Sequence, residues 1–258
     1  MIITKSASEI EIMDRANALV LQILGELRER IQPGVTTQDL DAHAAERVRQ
    51  EAVGAAFLGY RGYPKVLCAS VNEEIVHGIP SPKKVLRSGD IIGMDFGVIL
   101  EGYYGDSAMT VPVGEVSLEA QRLLDVTEDA LQCGIRACKP GNRVSDISRA
   151  IQRRAEGAGF AVVREFVGHG IGTSMHEDPP VPNYVMAGRD YRLVEGMVVA
   201  IEPMINAGRP EVVIAEDRWT ASTADGSLSA HFERSIAITA DGPRVLGEAW
   251  PRAARKAG

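Results

Sequence analysis

The stretch GMDFGVILEGYYGDSAMT, residues 93–110, places two acidic side chains, Asp95 and Asp106, among residues typical of buried strands. The Glu101-Gly102 pair between its two apolar runs predicts a two-residue hairpin turn. Aspartate is depleted in strands, and a buried carboxylate is costly unless it is paired or bound to a metal. The two acids inside this hairpin therefore indicate a functional role.

The turn determines how the two aspartates lie relative to each other. A two-residue turn places Gly97 opposite Asp106 on the neighbouring strand. Asp95 precedes Gly97 by two residues, so it lies on the same face of the sheet and diagonal to Asp106. Diagonal neighbours are about 7–8 Å apart, close enough for two carboxylates to hold ions between them. The alternative is that both acids lie at exposed strand ends, the commoner role of a lone aspartate.

Histidines and glutamates occur in similar contexts further along the chain. His169 lies between two glycines in FVGHGIGTSMHEDPPVPNY, and His176 follows seven residues later. His77 lies beside glycine and proline in VNEEIVHGIP, Glu202 follows an apolar run in VEGMVVAIEPMIN, and Glu233 lies in the strand-like SLSAHFERSIAIT. Each has an ordinary alternative role, as a structural histidine or a carboxylate that faces solvent.

Four carboxylates and an imidazole form a mixed oxygen and nitrogen donor set. Carboxylates favour hard ions such as Mg or Mn, and imidazole extends the range to Fe, Co and Zn. Four bare carboxylates in one place could not all stay ionised, whereas two divalent cations would balance their charge. We therefore expect a site for two divalent ions, which is a known hydrolytic arrangement. Its candidate ligands are the carboxylates of Asp95, Asp106, Glu202 and Glu233 and the imidazole of one of three histidines, His77, His169 or His176.

A pattern of two helices separated by a Pro-Gly turn occurs twice. PGVTTQDLDAHAAERVRQEA begins at Pro33 and PGNRVSDISRAIQRRAEGAG at Pro140, and each copy is followed by strand-like segments. The pattern predicts one compact α/β (α+β) domain over residues 1–258, with pseudo-symmetric halves of roughly 1–115 and 116–245 around a shared sheet. The alternative is a chance match of two common Pro-Gly helix breaks.

The composition is that of an ordinary globular chain, with 45% hydrophobic and 24% charged residues among 258. The formal net charge of −7 argues against a nucleic-acid partner held by a broad basic surface. We identify no signal peptide and no apolar run of membrane-spanning length, so we expect no membrane partner. Cys68, Cys133 and Cys138 form no C-x-x-C pair, which favours reduced thiols in the cytoplasm.

Together these motifs resemble the type I methionine aminopeptidases over nearly the whole chain, from PGVTT at residue 33 to AITADGP at residue 237. The most specific match is the segment that carries His169 and His176. The resemblance implies the duplicated pita-bread fold with a curved, mostly antiparallel central sheet. It also implies a cytoplasmic metalloaminopeptidase that removes the initiator methionine from nascent proteins and prefers a small second residue.

The resemblance implies a role for each metal ligand. Asp106 and Glu233 would bridge two divalent ions. Asp95 would complete one ion, and His169 and Glu202 would complete the other. A water activated by the two ions would attack the scissile carbonyl, with Glu202 as the general base. The identity of the metal stays open among Co, Mn, Fe, Zn and Ni.

Two histidines and an apolar pocket complete the implied site. His176 would stabilise the carbonyl oxygen as charge develops on it. His77 would contact the scissile amide nitrogen or the peptide backbone beside it. The methionine side chain would lie among aromatic and sulfur-containing residues, which suit a thioether: Phe57, Tyr60, Tyr63, Cys68, Met175 and Trp219. The alternative role of these six residues is plain core packing.

Three positions depart from the family pattern. His231 stands where many members carry glutamine, Arg234 where histidine is usual, and Met175 where phenylalanine or leucine is common. None of the three removes a metal ligand. The sequence shows neither the N-terminal zinc-binding extension of some eukaryotic members nor the inserted helical region of the type II enzymes.

Two other functions fit parts of the sequence. An aminopeptidase P, prolidase or creatinase relative would share the fold, but such proteins usually carry a sizeable extra N-terminal domain. A non-catalytic binding protein of the proliferation-associated kind would typically have lost metal ligands, and this chain retains all five. We expect a monomer that acts on nascent polypeptide N-termini, and a transient ribosome contact stays open.

Overall fold

Two pairs of helices each precede a group of strands in the computed structural model, which describes residues 2–248. The first pair is α1 (Ala7–Arg30) and α2 (Thr37–Gln50), and the second pair is α3 (Leu118–Ala137) and α4 (Val144–Gly157). Residues 1 and 249–258, which the sequence analysis assigned to the same domain, lie outside the described residues.

The helix boundaries follow from local capping. The Ser6 side chain accepts a hydrogen bond from the backbone N–H of Glu9, and the Glu9 side chain accepts one from the backbone N–H of Ser6. Thr36 and Asp39 form the same reciprocal pair at the start of α2. Each pair satisfies two backbone donors that a helix start would otherwise leave unbonded. These caps fix where α1 and α2 begin.

The strands are mostly short, and two long ones form the centre of the main sheet. The long strands are β4 (Ile91–Leu100) and β5 (Tyr103–Pro112). The others, in chain order, are β1 (Gly54–Ala55), β2 (Leu67–Val71), β3 (Glu74–Val76), β6 (Ala161–Val162), β7 (Gly168–Gly170), β8 (Glu177–Val181), β9 (Val198–Ile201), β10 (Met204–Asn206), β11 (Val212–Ile214), β12 (Ala221–Thr223), β13 (Ser229–His231), β14 (Glu233–Thr239) and β15 (Gly242–Val245). A turn of 3₁₀ helix covers Tyr60–Gly62.

Nine strands form one antiparallel sheet in the order β1-β4-β5-β14-β9-β7-β8, with β2 added to β4 and β15 added to β14. Two smaller sheets have the orders β13-β10-β6 and β11-β12-β3. The curled antiparallel sheet with its paired helices is the pita-bread arrangement, as the sequence analysis predicted. None of the described helices is long and apolar enough to cross a bilayer.

The β4–β5 hairpin has the predicted register. Gly97 lies opposite Asp106, and Asp95 lies opposite Ala108. The turn residues Glu101 and Gly102 have φ angles of 50° and 84°. Positive φ at both central positions is the signature of a type I′ turn, whose twist matches that of the flanking strands. The two-residue turn is therefore confirmed.

Each helix pair covers its own apolar core. Helices α1 and α2 pack over β2 and β4 through wholly buried residues such as Leu24 and Leu67. Helices α3 and α4 pack over β9 and β14 through residues such as Ile147 and Ile236. Burying one such side chain contributes about 1.5–3 kcal/mol. These two cores hold the central strands in place, and the division of the chain into two related halves stays a prediction.

Candidate active site

Thirteen residues that the sequence analysis named line one cavity of about 250 Å³. They come from the central strands, the loops that follow them and the segment before β2. They are Phe57, Tyr60, Tyr63, Cys68, His77, Asp95, Asp106, His169, Met175, His176, Glu202, Trp219 and Glu233. Arg61 and Phe166 line the same cavity and were not named as site residues.

Sheet register places the candidate ligands on one face. Ala108 of β5 pairs with Asp95 of β4 on one side and with Glu233 of β14 on the other. Paired residues in a sheet point to the same face, and so do residues two apart along a strand. Asp106 therefore points to the same face as Asp95 and Glu233.

The same reasoning extends to β9 and β7. Ala200 of β9 pairs with Ser235 of β14 and with His169 of β7. Ser235 follows Glu233 by two residues, so His169 shares the face of that glutamate. Glu202 follows Ala200 by two residues at the end of β9, and its Oε1 lies 3.4 Å from Nε2 of His169. Five donors from five positions of the sheet thus converge on one cavity.

His169 is held in a single ring orientation. Its Nδ1 lies 3.0 Å from the carbonyl oxygen of Gly170, so Nδ1 donates and Nε2 is left free as a ligand atom. A Cβ on Gly168 or Gly170 would lie 2.4 or 2.3 Å from a backbone oxygen of a neighbouring strand. Glycine at both positions is therefore required for the strands to approach this closely around the imidazole.

The carboxylates are buried without partners among the described residues. Oδ1 of Asp95, Oδ1 of Asp106 and Oε1 of Glu233 are all buried and accept no hydrogen bond there. Burial raises the pKa of Asp95 to about 7. Burial, followed by repulsion from neighbouring carboxylates, raises the pKa of the Asp106, Glu202 and Glu233 carboxyls well above their ordinary values. Cations are what such a cluster needs in order to stay ionised.

The donor set fits a divalent metal. Ligand atoms of Asp106, His169 and Glu233 all lie within 4.8 Å of one another. Asp95 and Glu202 lie outside that tight group but line the same cavity. Oxygen-rich coordination with one imidazole suits Mn, Fe, Co or Zn. Bound cations would satisfy the orphaned oxygens and offset the burial and repulsion that raise these pKa values.

Two further histidines flank the carboxylates. The hydroxyl of Tyr60 lies 2.8 Å from Nδ1 of His176, and the two rings stack with centroids 5.5 Å apart. The ring of His176 also lies 4.2 Å from that of His169. His77 packs edge-on against Phe166 and faces Trp219.

The backbone at His77 is constrained by close packing. His77 has a φ angle of 61°, which is uncommon for a residue other than glycine. The next residue, Gly78, lies so close to β2 that a Cβ there would be 2.4 Å from the carbonyl oxygen of Ala69. Strained backbone of this kind is found where surrounding structure fixes a functional side chain.

Replacing His77 with asparagine is expected to make the protein less sensitive to acid. Burial lowers the pKa of His77 to about 4, against 6.5 for the free side chain. The unfolded state therefore binds the proton first, so native stability falls as pH drops below about 6.5. Between about pH 7.5 and pH 5 the wild type should lose about 2 kcal/mol more unfolding free energy than the variant. Urea unfolding at each pH measures this, and equal losses would contradict it.

The apolar end of the cavity is a small cluster of its own. Phe57, Tyr63, Cys68 and Met175 are buried there, with Tyr60 and Trp219 packed against them. The hydroxyl of Tyr63 donates to the backbone carbonyls of Leu67 or Gly78, so its ring edge is fixed against Trp219. This end offers an aromatic and sulfur surface that joins directly onto the carboxylates.

The three positions that depart from the family pattern lie in different places. Met175 lines the cavity. His231 is buried outside it, with Nε2 3.8 Å from Oε2 of Glu202. Arg234 alternates to the opposite face of β14 from Glu233 and donates to the carbonyl oxygens of Glu233 and Ala108.

The two lining residues that were missed carry weak sequence signals. Arg61 follows Tyr60 in GYRGYP and has a positive φ of 49°. Its guanidinium lies 5.4 Å from the centre of the Tyr60 ring. A lone arginine in a glycine-containing segment is typical of a solvent-exposed loop. Only the fold shows that this loop borders the cavity.

The chain is similar to known proteins in both sequence and structure. A family model described as metallopeptidase family M24 matches residues 11–240. Methionine aminopeptidase from Clostridium acetobutylicum is 48% identical over 246 residues, covering 95% of this chain and 98% of that protein. Methionine aminopeptidase 1 from Bacillus subtilis is also 48% identical over 246 residues, covering 95% of this chain and 99% of its own length.

A solved structure is similar over the whole fold. The crystal structure of methionine aminopeptidase from Thermotoga maritima superposes with a TM-score of 0.94 at 45% identity, and the match covers 96% of this chain and 100% of that one.

Proposed function

The chain belongs to metallopeptidase family M24, and from this premise we propose that it removes the N-terminal methionine from newly made proteins. The observation that carries the proposal is the junction of two surfaces in one cavity. Five metal-type donors lie at one end, and an aromatic and sulfur-lined pocket lies at the other. A substrate whose first side chain fills that pocket would place its first peptide bond at the donors.

We assign the ligands as the sequence analysis predicts. Asp106 and Glu233 would be shared by two divalent ions, Asp95 would help to hold one ion, and His169 and Glu202 would help to hold the other. Bound ions supply Lewis acidity, which polarises the scissile carbonyl and lowers the pKa of a water molecule. The four negative charges and the orphaned oxygens at the site support a total charge near +4.

Glu202 and His176 are the groups that handle the proton and the developing charge. Glu202 takes the proton that the attacking water loses. His176 accepts the Tyr60 hydroxyl at Nδ1, which leaves Nε2–H as a donor for the carbonyl oxygen. Burial, and then the charge of Arg61, lowers the pKa of His176, so its neutral form predominates near neutral pH. His77, which lines the same cavity, contacts the scissile amide nitrogen or the adjacent backbone.

Bound metal is expected to stabilise the fold. At a free ion concentration of about 100 times Kd, one occupied site adds about 2.7 kcal/mol to the free energy of unfolding. The measurement is urea unfolding of chelator-stripped protein with and without added Mn²⁺. NaCl at equal ionic strength controls for general salt effects. An unfolding midpoint that does not move with Mn²⁺ would contradict the proposed site.

A panel of peptides tests the substrate assignment. We expect kcat/KM for Met-Ala-Ser to exceed that for Val-Ala-Ser by at least about tenfold, because the shorter side chain leaves the pocket underfilled. A bulky second residue, as in Met-Trp-Ser, should also slow release. Faster turnover of Ala-Pro peptides than of Met-Ala-Ser would instead place the chain with the proline-specific relatives.

The remaining parts of the proposal concern the cell. We propose that the protein works in the cytoplasm, where nascent polypeptide N-termini appear, and that it acts as a monomer. The net charge of −7 and the three cysteines outside any C-x-x-C pair support this environment. A transient ribosome contact is part of the proposal, and co-sedimentation of the protein with ribosomes at low and high salt tests it.

A further inference from the structure

A buried asparagine in the interior of α1 has no role in the chemistry described so far. Asn17 is wholly buried. Its side-chain nitrogen donates to the carbonyl oxygen of Met13 at 2.9 Å, which satisfies one end of the amide. Its side-chain oxygen accepts the backbone N–H of Asp106 at 3.2 Å. The second bond leaves the helix and ends on the backbone of a candidate bridging ligand.

Strand geometry explains why the Asp106 backbone needs such a partner. The pair beside a two-residue turn is hydrogen-bonded, and such pairs alternate with non-hydrogen-bonded pairs along an antiparallel ladder. Counting from Leu100 and Tyr103, Asp106 falls at a non-hydrogen-bonded position opposite Gly97. Its N–H and C=O therefore point away from β4, towards the side where β14 lies.

Strand β14 does not supply a backbone partner for the Asp106 N–H, because the carbonyl oxygen of Ser235 accepts the N–H of Leu246 at 3.0 Å. The β5–β14 register ends with Glu233 opposite Ala108 and Arg234 opposite Ser107. The carbonyl oxygen of Asp106 accepts two hydroxyls, from Ser235 at 3.0 Å and from the adjacent Ser107 at 2.7 Å. The side-chain oxygen of Asn17 accepts the N–H of the same residue, so side chains bond both backbone groups of Asp106.

Close packing fixes the helix that carries Asn17. A Cβ on Gly105 would lie 2.8 Å from the backbone carbon of Ala16, so α1 touches β5 at the residue before Asp106. The helix therefore has little room to shift relative to that strand. This packing fixes the distance between the side-chain oxygen of Asn17 and the backbone N–H of Asp106.

We propose that Asn17, together with Ser235, is a positioning residue that fixes the backbone of Asp106 and thereby the direction of its carboxylate. The inference rests on the proposed function in one respect, the assignment of Asp106 as a metal ligand. Groups that orient a metal ligand without binding the metal themselves typically change metal affinity or activity by about 10–100-fold when they are removed. Asn17 and Ser235 contact the ligand's backbone and lie outside the cavity lining.

The test compares Asn17→Ala and Ser235→Ala with a matched control, Thr127→Ala. Thr127 is also wholly buried in a helix, and its hydroxyl donates to Leu123 of its own helix α3. Calorimetric titration of the metal-free proteins with Mn²⁺ should show affinity about 10–100-fold weaker for Asn17→Ala and Ser235→Ala, and unchanged for Thr127→Ala. Amide hydrogen exchange at Asp106 should become faster in Asn17→Ala alone. If that variant does not fold, the double variant Ser107→Ala/Ser235→Ala, which removes both hydroxyls from the Asp106 carbonyl oxygen, decides the question by the affinity readout.

The outcomes separate the inference from the proposed function. Wild-type Mn²⁺ affinity in Asn17→Ala and Ser235→Ala would overturn the inference, and so would an equal loss of affinity in Thr127→Ala. A wild-type protein that binds Mn²⁺ but releases no methionine would overturn the proposed function. In that case weaker binding by the two variants would still support the positioning role.

Discussion

Asp106→Asn is expected to lower kcat/KM for a methionyl peptide by at least about a hundredfold, since a direct ligand should matter at least as much as the groups that orient it. Asparagine has nearly the same shape but no charge. Oδ1 of Asp106 is buried and accepts no hydrogen bond among the described residues, and it lies with His169 and Glu233 in the tightest donor group. Removing its charge leaves three carboxylates to balance two divalent ions.

Metal analysis distinguishes this effect from misfolding. We expect the Asp106→Asn protein to bind fewer than two Mn²⁺ ions under conditions that saturate the wild type. The matched control is Asp125→Asn on α3, where the carboxylate is exposed and, within residues 2–248, accepts a hydrogen bond only from Gln121. That variant should keep both ions and full activity. Full activity of Asp106→Asn with both ions bound would refute its assignment as a bridging ligand.

His176→Ala is expected to lower kcat by about 10²–10³-fold, the usual result of removing one donor from a developing oxyanion. The KM should change much less, because the donor acts mainly in the transition state. His176 is not among the proposed ligands, so Mn²⁺ stoichiometry should stay at the wild-type value. The tautomer that makes Nε2–H the donor depends on the Tyr60 hydroxyl at Nδ1.

Two further variants test whether His176 acts as the oxyanion donor. Tyr60→Phe keeps the stacked ring but removes the hydroxyl, so it should cause a loss of kcat smaller than that of His176→Ala. His43→Ala on α2 removes a histidine that bonds Glu26, remote from the cavity lining. It should leave kcat unchanged. An unchanged kcat in His176→Ala would exclude the oxyanion role, and a loss of bound Mn²⁺ would mean that the residue serves the metal instead.

Much of the central hairpin could be predicted from sequence because its rules are local. A type I′ turn fixes the register of β4 and β5, and register fixes which side chains share a face. The placement of Asp95 beside Asp106 needed nothing else. Likewise, capping at Ser6 and Thr36 determines where α1 and α2 begin.

The small sheets, and the parts of the cavity that lie outside the β4–β5 hairpin, depend on long-range contacts. Strands β3, β6 and β10–β13 have only two or three residues each, too few to show a period of two. Glu202 lies against His169 because β9 pairs with β7, and no local pattern encodes that pairing. The same holds for Asn17, a helix residue whose partner is 89 positions away on β5.

Methionine release under controlled metal loading is the most direct test of metal-dependent aminopeptidase activity. Chelator-stripped protein is titrated with Mn²⁺ or Fe²⁺ without oxygen, and free methionine from Met-Ala-Ser is measured at each ratio of ion to chain. We expect no methionine release from the stripped protein and an activity that rises with the amount of bound ion. Equal release from the stripped and loaded proteins, or no release at any loading with Mn²⁺, Fe²⁺ or Co²⁺, would contradict it.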